Sequence, residues 1–284
     1  MLDAISAEML KFRDHRATWG LVWVWPLGLI VLWLLAIAVD LAGGGGGEGK
    51  GAASAAGWIA DSVGFWNVPG HPIGRYLIGA FVAVVFAGEY GWNTWKLVVP
   101  HRARNSLIAA KYVVALALLA IGFTLAAILF NAFGWIEDVV TGDPIPAGIT
   151  AAALLDAHAI GALAATAPVL LTTAYVSLAA ILTRSTVGAL VIGLVITTLE
   201  QLFRSFAPML EPYAPGLTGG FHQALPGYHL ANIGQWLTEG RALEIPFPSG
   251  PFSMSPAASL AIAGGWIVLL MVLTFRGFRR QDIN

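Results

Sequence analysis

The sequence predicts an all-α integral membrane protein with six transmembrane helices behind an N-terminal amphipathic interfacial helix. Three observations carry that prediction. Of the 284 residues, 57% are hydrophobic and only 11% charged, against about a quarter charged in soluble domains. So little charge cannot cover a water-facing surface. Six apolar runs approach the roughly 20 residues that a helix needs to cross the hydrocarbon. The Lys and Arg residues also fall mostly on one side of those runs, which is the asymmetry that orients membrane helices.

The first stretch, 1–17, places Leu2, Ile5, Met9 and Phe12 at helical spacing, with Asp3, Glu8, Lys11 and Asp14 mostly elsewhere on the wheel. Such a helix lies on the inner membrane surface. The remainder, 18–284, reads as one six-span domain. The first span is expected over 18–42, with Pro26 inside it. Its apolar run is too long for a cleaved signal, so it reads as retained. The others are expected over 73–90, 107–134, 155–182, 187–203 and 257–275. Helices are the expected spanning element because lipid offers the backbone no hydrogen-bond partners.

With the N-terminus placed inside, eleven of the fifteen basic residues are inside: Lys11, Arg13, Arg16, Lys96, Arg102, Arg104, Lys111, Arg184, Arg276, Arg279 and Arg280. Both termini are then expected in the cytoplasm. The outer loops are long, the last (204–256) holding a helix-like stretch at 228–239, whereas 183–186 reads as a tight inner turn. The inner segment 89–106 is polar, aromatic and basic.

Few motifs suggest chemistry. Gly44, Gly49 and Lys50 imitate a phosphate-binding loop, but Gly51 stands where Ser or Thr must hold Mg, and a membrane span rather than a strand precedes it. The flexible-loop reading is preferred. No catalytic constellation is present, and the absence of cysteine excludes thiolate metal sites. His222 and His229 are seven apart without clustered carboxylates, which makes metal binding a weak reading. Polar residues do occur near span ends: Asp156, His158, Asn131, Glu200 and Arg204. Ionisable residues in spans are functional by default, but a boundary position weakens that reading. Glu200 and Arg204 stand four apart, so mutual pairing is expected. Asp156, His158, Glu200 and Arg204 remain the candidates for a gate or pathway. Trp58, Trp66, Trp95, Trp135 and Trp236 read as interface anchors. Gly79, Gly188 and Gly193 would permit close helix approach across a seam between copies.

The inner segment carries a resemblance. Glu89, Thr94, Pro100, Arg102 or Arg104, and Lys111 follow the pattern after the second span in type-2 permease subunits of ABC exporters. Asn93 stands where that family usually has Gly. The opening Glu8-Met9-Leu10-Lys11, the Thr183-Arg184-Ser185 turn, Leu225-Pro226 in the last outer loop and the Arg279-Arg280-Gln281-Asp282 ending resemble the same family in layout.

The resemblance implies a permease subunit that exports a peptide, antibiotic or other amphipathic compound. Its implied partners are a separate ABC ATPase subunit, which binds ATP and Mg, and a second permease copy, together with the bilayer of a bacterial inner membrane. No cofactor in this chain and no nucleic-acid partner are expected, and the net charge of −1 agrees with the latter. Coupling to the ATPase is expected through Glu89, Trp92, Thr94, Trp95, Arg102 and Arg104 of the inner segment 89–106, which is expected to form a short helix over 90–98 that begins beside Glu89 and that Pro100 ends. The alternatives are a secondary transporter, which would want midplane acids and internal repeats, or a non-transporting membrane regulatory subunit.

Overall fold

The computed structural model describes residues 1–41, 54–91, 94–141 and 144–282. The glycine-rich loop around Gly44–Gly51 and Trp92 lie outside the described residues. Twelve α-helices are found among the described residues: α1 (Leu2–Arg13), α2 (Arg16–Leu21), α3 (Val24–Leu41), α4 (Ala55–Ser62), α5 (Pro72–Gly91), α6 (Trp95–Val98), α7 (Arg104–Thr141), α8 (Ala151–Thr183), α9 (Thr186–Leu210), α10 (Pro215–Ala224), α11 (Pro226–Glu239) and α12 (Pro256–Arg280). A two-stranded antiparallel hairpin, β1 (Ile245–Phe247) and β2 (Gly250–Phe252), precedes α12.

Five of these helices, α5, α7, α8, α9 and α12, are long and apolar enough to cross a membrane. The expected first span is not continuous. Pro26 has no N–H, and its ring crowds the carbonyl of residue 22. The chain therefore breaks at Val22–Trp23 and starts again as α3 at Val24, putting the proline in a first turn where no donor is needed.

α8 runs through the middle of the bundle and touches α5, α9, α11 and α12. Apolar surface alone gives helices little reason to associate in lipid, so close approach decides which faces meet. Gly79 of α5 and Gly193 of α9 both lie against Val176 of α8, and a Cβ at Gly193 would come within 2.6 Å of Val176 Cγ2. Gly188 faces Thr183 in the same way. These glycines therefore serve contacts within one chain, which corrects their expected place on a seam between copies.

The two ends of the bundle differ. One end gathers both termini. Arg104 at the start of α7 donates to the carbonyls of Phe278, Arg279 and Gln281. Gln281 donates to Ile181 O of α8 at 2.6 Å and accepts from Tyr90 Oη of α5 at 2.6 Å. The 183–186 turn is tight as expected. Arg184 takes a left-handed conformation (φ 52°), and the Ser185 hydroxyl caps α9 by accepting from Gly188 N. The far end is more structured than the expected single helix in 204–256. α9 continues to Leu210, and α10 and the hairpin fill in around α11. There Tyr228 of α11 donates to Leu243 O at 2.7 Å and accepts from Met254 N at 3.0 Å.

α1 does not stand apart from the spans. Asp3 reaches Arg102 and Glu8 reaches Lys111, so α1 rises alongside the first turns of α7. Its Phe12, fully buried, meets Phe81 of α5 edge-on at 6.2 Å.

Candidate functional site

Two polar clusters stand out, one at each end. At the end holding the termini, Glu89 sits near the last turn of α5, not at the start of a short helix as expected. Only 6% of it is exposed. Lys111, fully buried on α7, donates to Glu89 Oε1 at 2.5 Å and to Val85 O at 2.7 Å. Lys11 of α1 donates to the same carboxylate oxygen. Glu8 completes the group, 3.4 Å from Lys111 and 3.7 Å from Lys11. Two ammoniums and two carboxylates thus balance. A buried ion pair is tolerated only when its charges are compensated in this way.

Trp95 also departs from expectation. It is 3% exposed, packs on Phe278 at 4.6 Å and lies 5.1 Å from the Lys111 ammonium. It belongs to the core and offers no docking surface. Thr94 precedes the single turn of α6, and its N–H donates to Glu89 O at 3.1 Å. Arg102 makes an exposed pair with Asp3 at 3.3 Å, a kind that contributes little. Arg104 is spent on the C-terminal carbonyls. Pro100 lies within a 3₁₀ turn, Val99–His101, that follows α6 directly. What the segment does expose is Leu97, at 72%. A groove of about 600 Å³ runs behind it, between Ala4, Ala7 and Lys11 of α1 and Thr94, Val98 and Arg102 of the segment.

At the far end, Glu200 of α9 does not pair with Arg204. Its carboxylate takes Arg75 Nη1 of α5 at 2.7 Å and Tyr175 Oη of α8 at 2.6 Å. Arg75 Nε also donates to Thr172 Oγ1 at 2.9 Å. Arg204 instead donates to the Gln201 amide oxygen at 3.0 Å. The i,i+4 rule fails because a second arginine, 125 residues away in sequence on α5, comes closer once the bundle closes.

Asp156 is exposed on α8 and joins neither cluster. His158 is held through both ring nitrogens, by Trp66 Nε1 at 3.0 Å and by the Asn131 side-chain amide at 3.0 Å. Trp66 fits because Gly161 of α8 has no Cβ to meet its ring.

His229 is likewise engaged at both nitrogens, by Ser259 Oγ at 2.9 Å and Gln223 O at 3.1 Å. His222 is 2% exposed and ringed by Phe203, Tyr228, Phe247 and Phe252 with centroids 5.0–5.9 Å away. Burial pushes both imidazoles below the usual histidine range, which favours their neutral forms. Among the described residues no three His, Asp or Glu come together as metal ligands.

Lys111, Lys11 and Glu8 are the cluster members whose partnership the sequence does not reveal, and Arg75 and Tyr175 are their equivalents at the far end. A basic residue inside an apolar run, as at Lys111 and Arg75, is the signal that could have found them.

A sequence model for a family described as "ABC-2 family transporter protein" matches residues 4–200. No curated protein and no solved structure matches the chain.

Proposed function

Because the chain belongs to the ABC-2 family of transporter proteins, we propose that it is the permease subunit of an ABC exporter. In this reading it moves a peptide, antibiotic or other amphipathic compound outward, driven by ATP hydrolysed in a separate ATPase subunit. α3 serves as the sixth span. Its 18 residues extend about 27 Å at the helical rise, close to the hydrocarbon thickness of about 30 Å. The termini face the cytoplasm of a bacterial inner membrane, which accords with the basic excess at their end. α1 sits at that boundary as the lead-in helix.

The observation that carries the reading is the form of the 94–102 segment. It is tied from behind by buried charges that join α1, α5 and α7, and it presents an exposed apolar tip at Leu97. An exposed leucine on a firmly anchored turn is what a force-transmitting contact requires, since a loose segment would absorb the motion. A second permease copy fits along α9. Its Val187, Val191, Val195 and Leu199 form one exposed apolar stripe, and only 17% of its apolar window is buried within the chain.

The test uses an ABC ATPase subunit that co-purifies with the wild-type chain. Leu97→Asp is expected to leave membrane insertion and thermal stability unchanged while abolishing co-purification with the ATPase and stimulation of its activity. Full coupling in that variant would remove the segment from the pathway of force.

A further inference from the structure

Trp66 belongs to a 3₁₀ segment, Gly64–Gly70, that packs against α8. Its indole rests on one line of α8 residues. Nε1 donates to His158 Nδ1 at 3.0 Å. A Cβ at Gly161 would come within 2.7 Å of the indole Cδ1. His158, Gly161 and Ala165 recur at helical spacing, so they form a single ridge along one face of the helix.

Hollows of opposite character flank that ridge. On one side, a cavity of about 300 Å³ reaches Ala164 and Pro168 of α8. It carries Arg75 and Arg204 against Glu200 and Glu239, two charges of each sign. On the other side, a groove of about 330 Å³ runs between Ala120 and Thr124 of α7 and Ala162, Thr166 and Val169 of α8, with no charged residue in its lining. Trp66 and Ala165 line both hollows, so the indole on its ridge is the wall between them.

The two sides suit the two ends of one kind of molecule. Ala120, Thr124 and Thr166 are exposed, so the groove opens sideways between two helices long and apolar enough to cross a membrane. Hydrocarbon is what such a groove meets. The balanced charges of the cavity give a net-charged group no advantage, whereas hydroxyl, amide or zwitterionic groups find both donors and acceptors there. The wall itself is lightly held. Trp66 is half-buried, and its tip is tied by one hydrogen bond, an interaction of modest net strength. Its 3₁₀ backbone is a geometry that often marks hinges.

We propose that Trp66 is a gate between this lateral groove and the polar cavity. The molecule it admits is an amphiphile whose apolar chain lies in the groove and whose polar end, without net charge, enters the cavity. His158 positions the gate in its closed state. The inference rests on the permease reading and gives that reading a route from the bilayer and a substrate class.

Because the chain has no cysteine, single introduced thiols test the gate. The full chain in lipid nanodiscs is treated with a charged thiosulfonate, which reaches both faces but not hydrocarbon. Ala164→Cys, on the cavity side of the ridge, is expected to react, and Val169→Cys, on the groove side, is not. Adding Trp66→Ala is expected to make Val169→Cys react at a rate approaching that of Ala164→Cys. Gly161→Ala pushes the ring off its seat without removing it. It is expected to raise the same rate, and it keeps the test open should Trp66→Ala fail to fold. In the opened chain, dodecyl maltoside or dodecylphosphocholine is expected to slow labelling of Val169→Cys, and dodecyltrimethylammonium to leave it unchanged. Reaction of Val169→Cys with Trp66 seated, no reaction after both changes, or an unreactive Ala164→Cys would overturn the gate. Protection by all three amphiphiles, or by none, would overturn the ligand. Labelling involves neither ATPase nor transport, so its failure is distinct from a failure of the Leu97→Asp test.

Discussion

The ammonium of Lys111, with no exposed surface, lies 2.5 Å from the carboxylate of Glu89 on the neighbouring helix. Lys11 reaches the same carboxylate from α1. Glu89 is thus the shared acceptor of the group, and the consequences of removing each member differ. Glu89→Ala leaves two ammoniums, one fully buried, with Glu8 as their one remaining carboxylate, and is expected to destabilise by about 3 kcal/mol. Lys11→Met removes a side chain that is 32% exposed and is expected to cost no more than about 1 kcal/mol. Lys111→Met should fall between them, because Lys11 still compensates Glu89. Thermal unfolding in detergent gives the order. Equal shifts for Glu89→Ala and Lys11→Met would show that the carboxylate is not shared in this way. A loss of coupling in Glu89→Ala would accordingly report lost structure and not a lost contact with a partner.

The far-end cluster gives a second contrast. Arg75→Gln leaves Glu200 buried without its ion pair and is expected to lower stability strongly, by about 3 kcal/mol or more. Arg204→Gln removes a contact to an amide and should cost about 1 kcal/mol. Tyr175→Phe, which removes the other donor to Glu200, should lie between, at about 1.5–3 kcal/mol. A large effect of Arg204→Gln matched by a small one for Arg75→Gln would restore the i,i+4 pairing that the sequence suggests.

Acid should loosen the far end before the other. His222 and His229 both have folded-state pKa values lowered from 6.5 by burial. A lowered pKa means that the unfolded chain takes up protons first. Their contribution to stability is therefore complete above about pH 6.5 and lost as pH falls towards their folded values. The midpoint of thermal unfolding is expected to drop between pH 7.5 and 5. In His222→Phe, which keeps an aromatic ring in the same cage, the drop should be smaller. An unchanged pH profile in that variant would assign the acid sensitivity elsewhere.

The chain has no cysteine, so a single introduced thiol reports contact between copies directly. Val195→Cys lies mid-way along the exposed stripe of α9. Oxidation in native membranes is expected to give a disulfide-linked dimer, whereas Leu34→Cys on the exposed face of α3 should stay monomeric. The reverse outcome would move the seam to α3.

Composition and apolar runs by themselves determined the class of this protein. Lipid accepts no unpaired backbone, so runs of that length must be helices whatever their neighbours do. α5, α7, α8 and α12 accordingly cover the expected spans, each running past the predicted ends by one or more turns or matching them closely. Local chemistry also marked the 183–186 turn and the helix now seen as α11. Contacts between residues far apart in sequence were another matter. Glu200 chose Arg75 over Arg204, Glu89 drew in Lys11 and Lys111, and Trp95 turned into the core. Each of these depends on which helix faces come together, and that is set by close approach at positions such as Gly193 against Val176. Spacing along one helix records only its own neighbours, while a buried charge takes the partner that the closed bundle brings nearest.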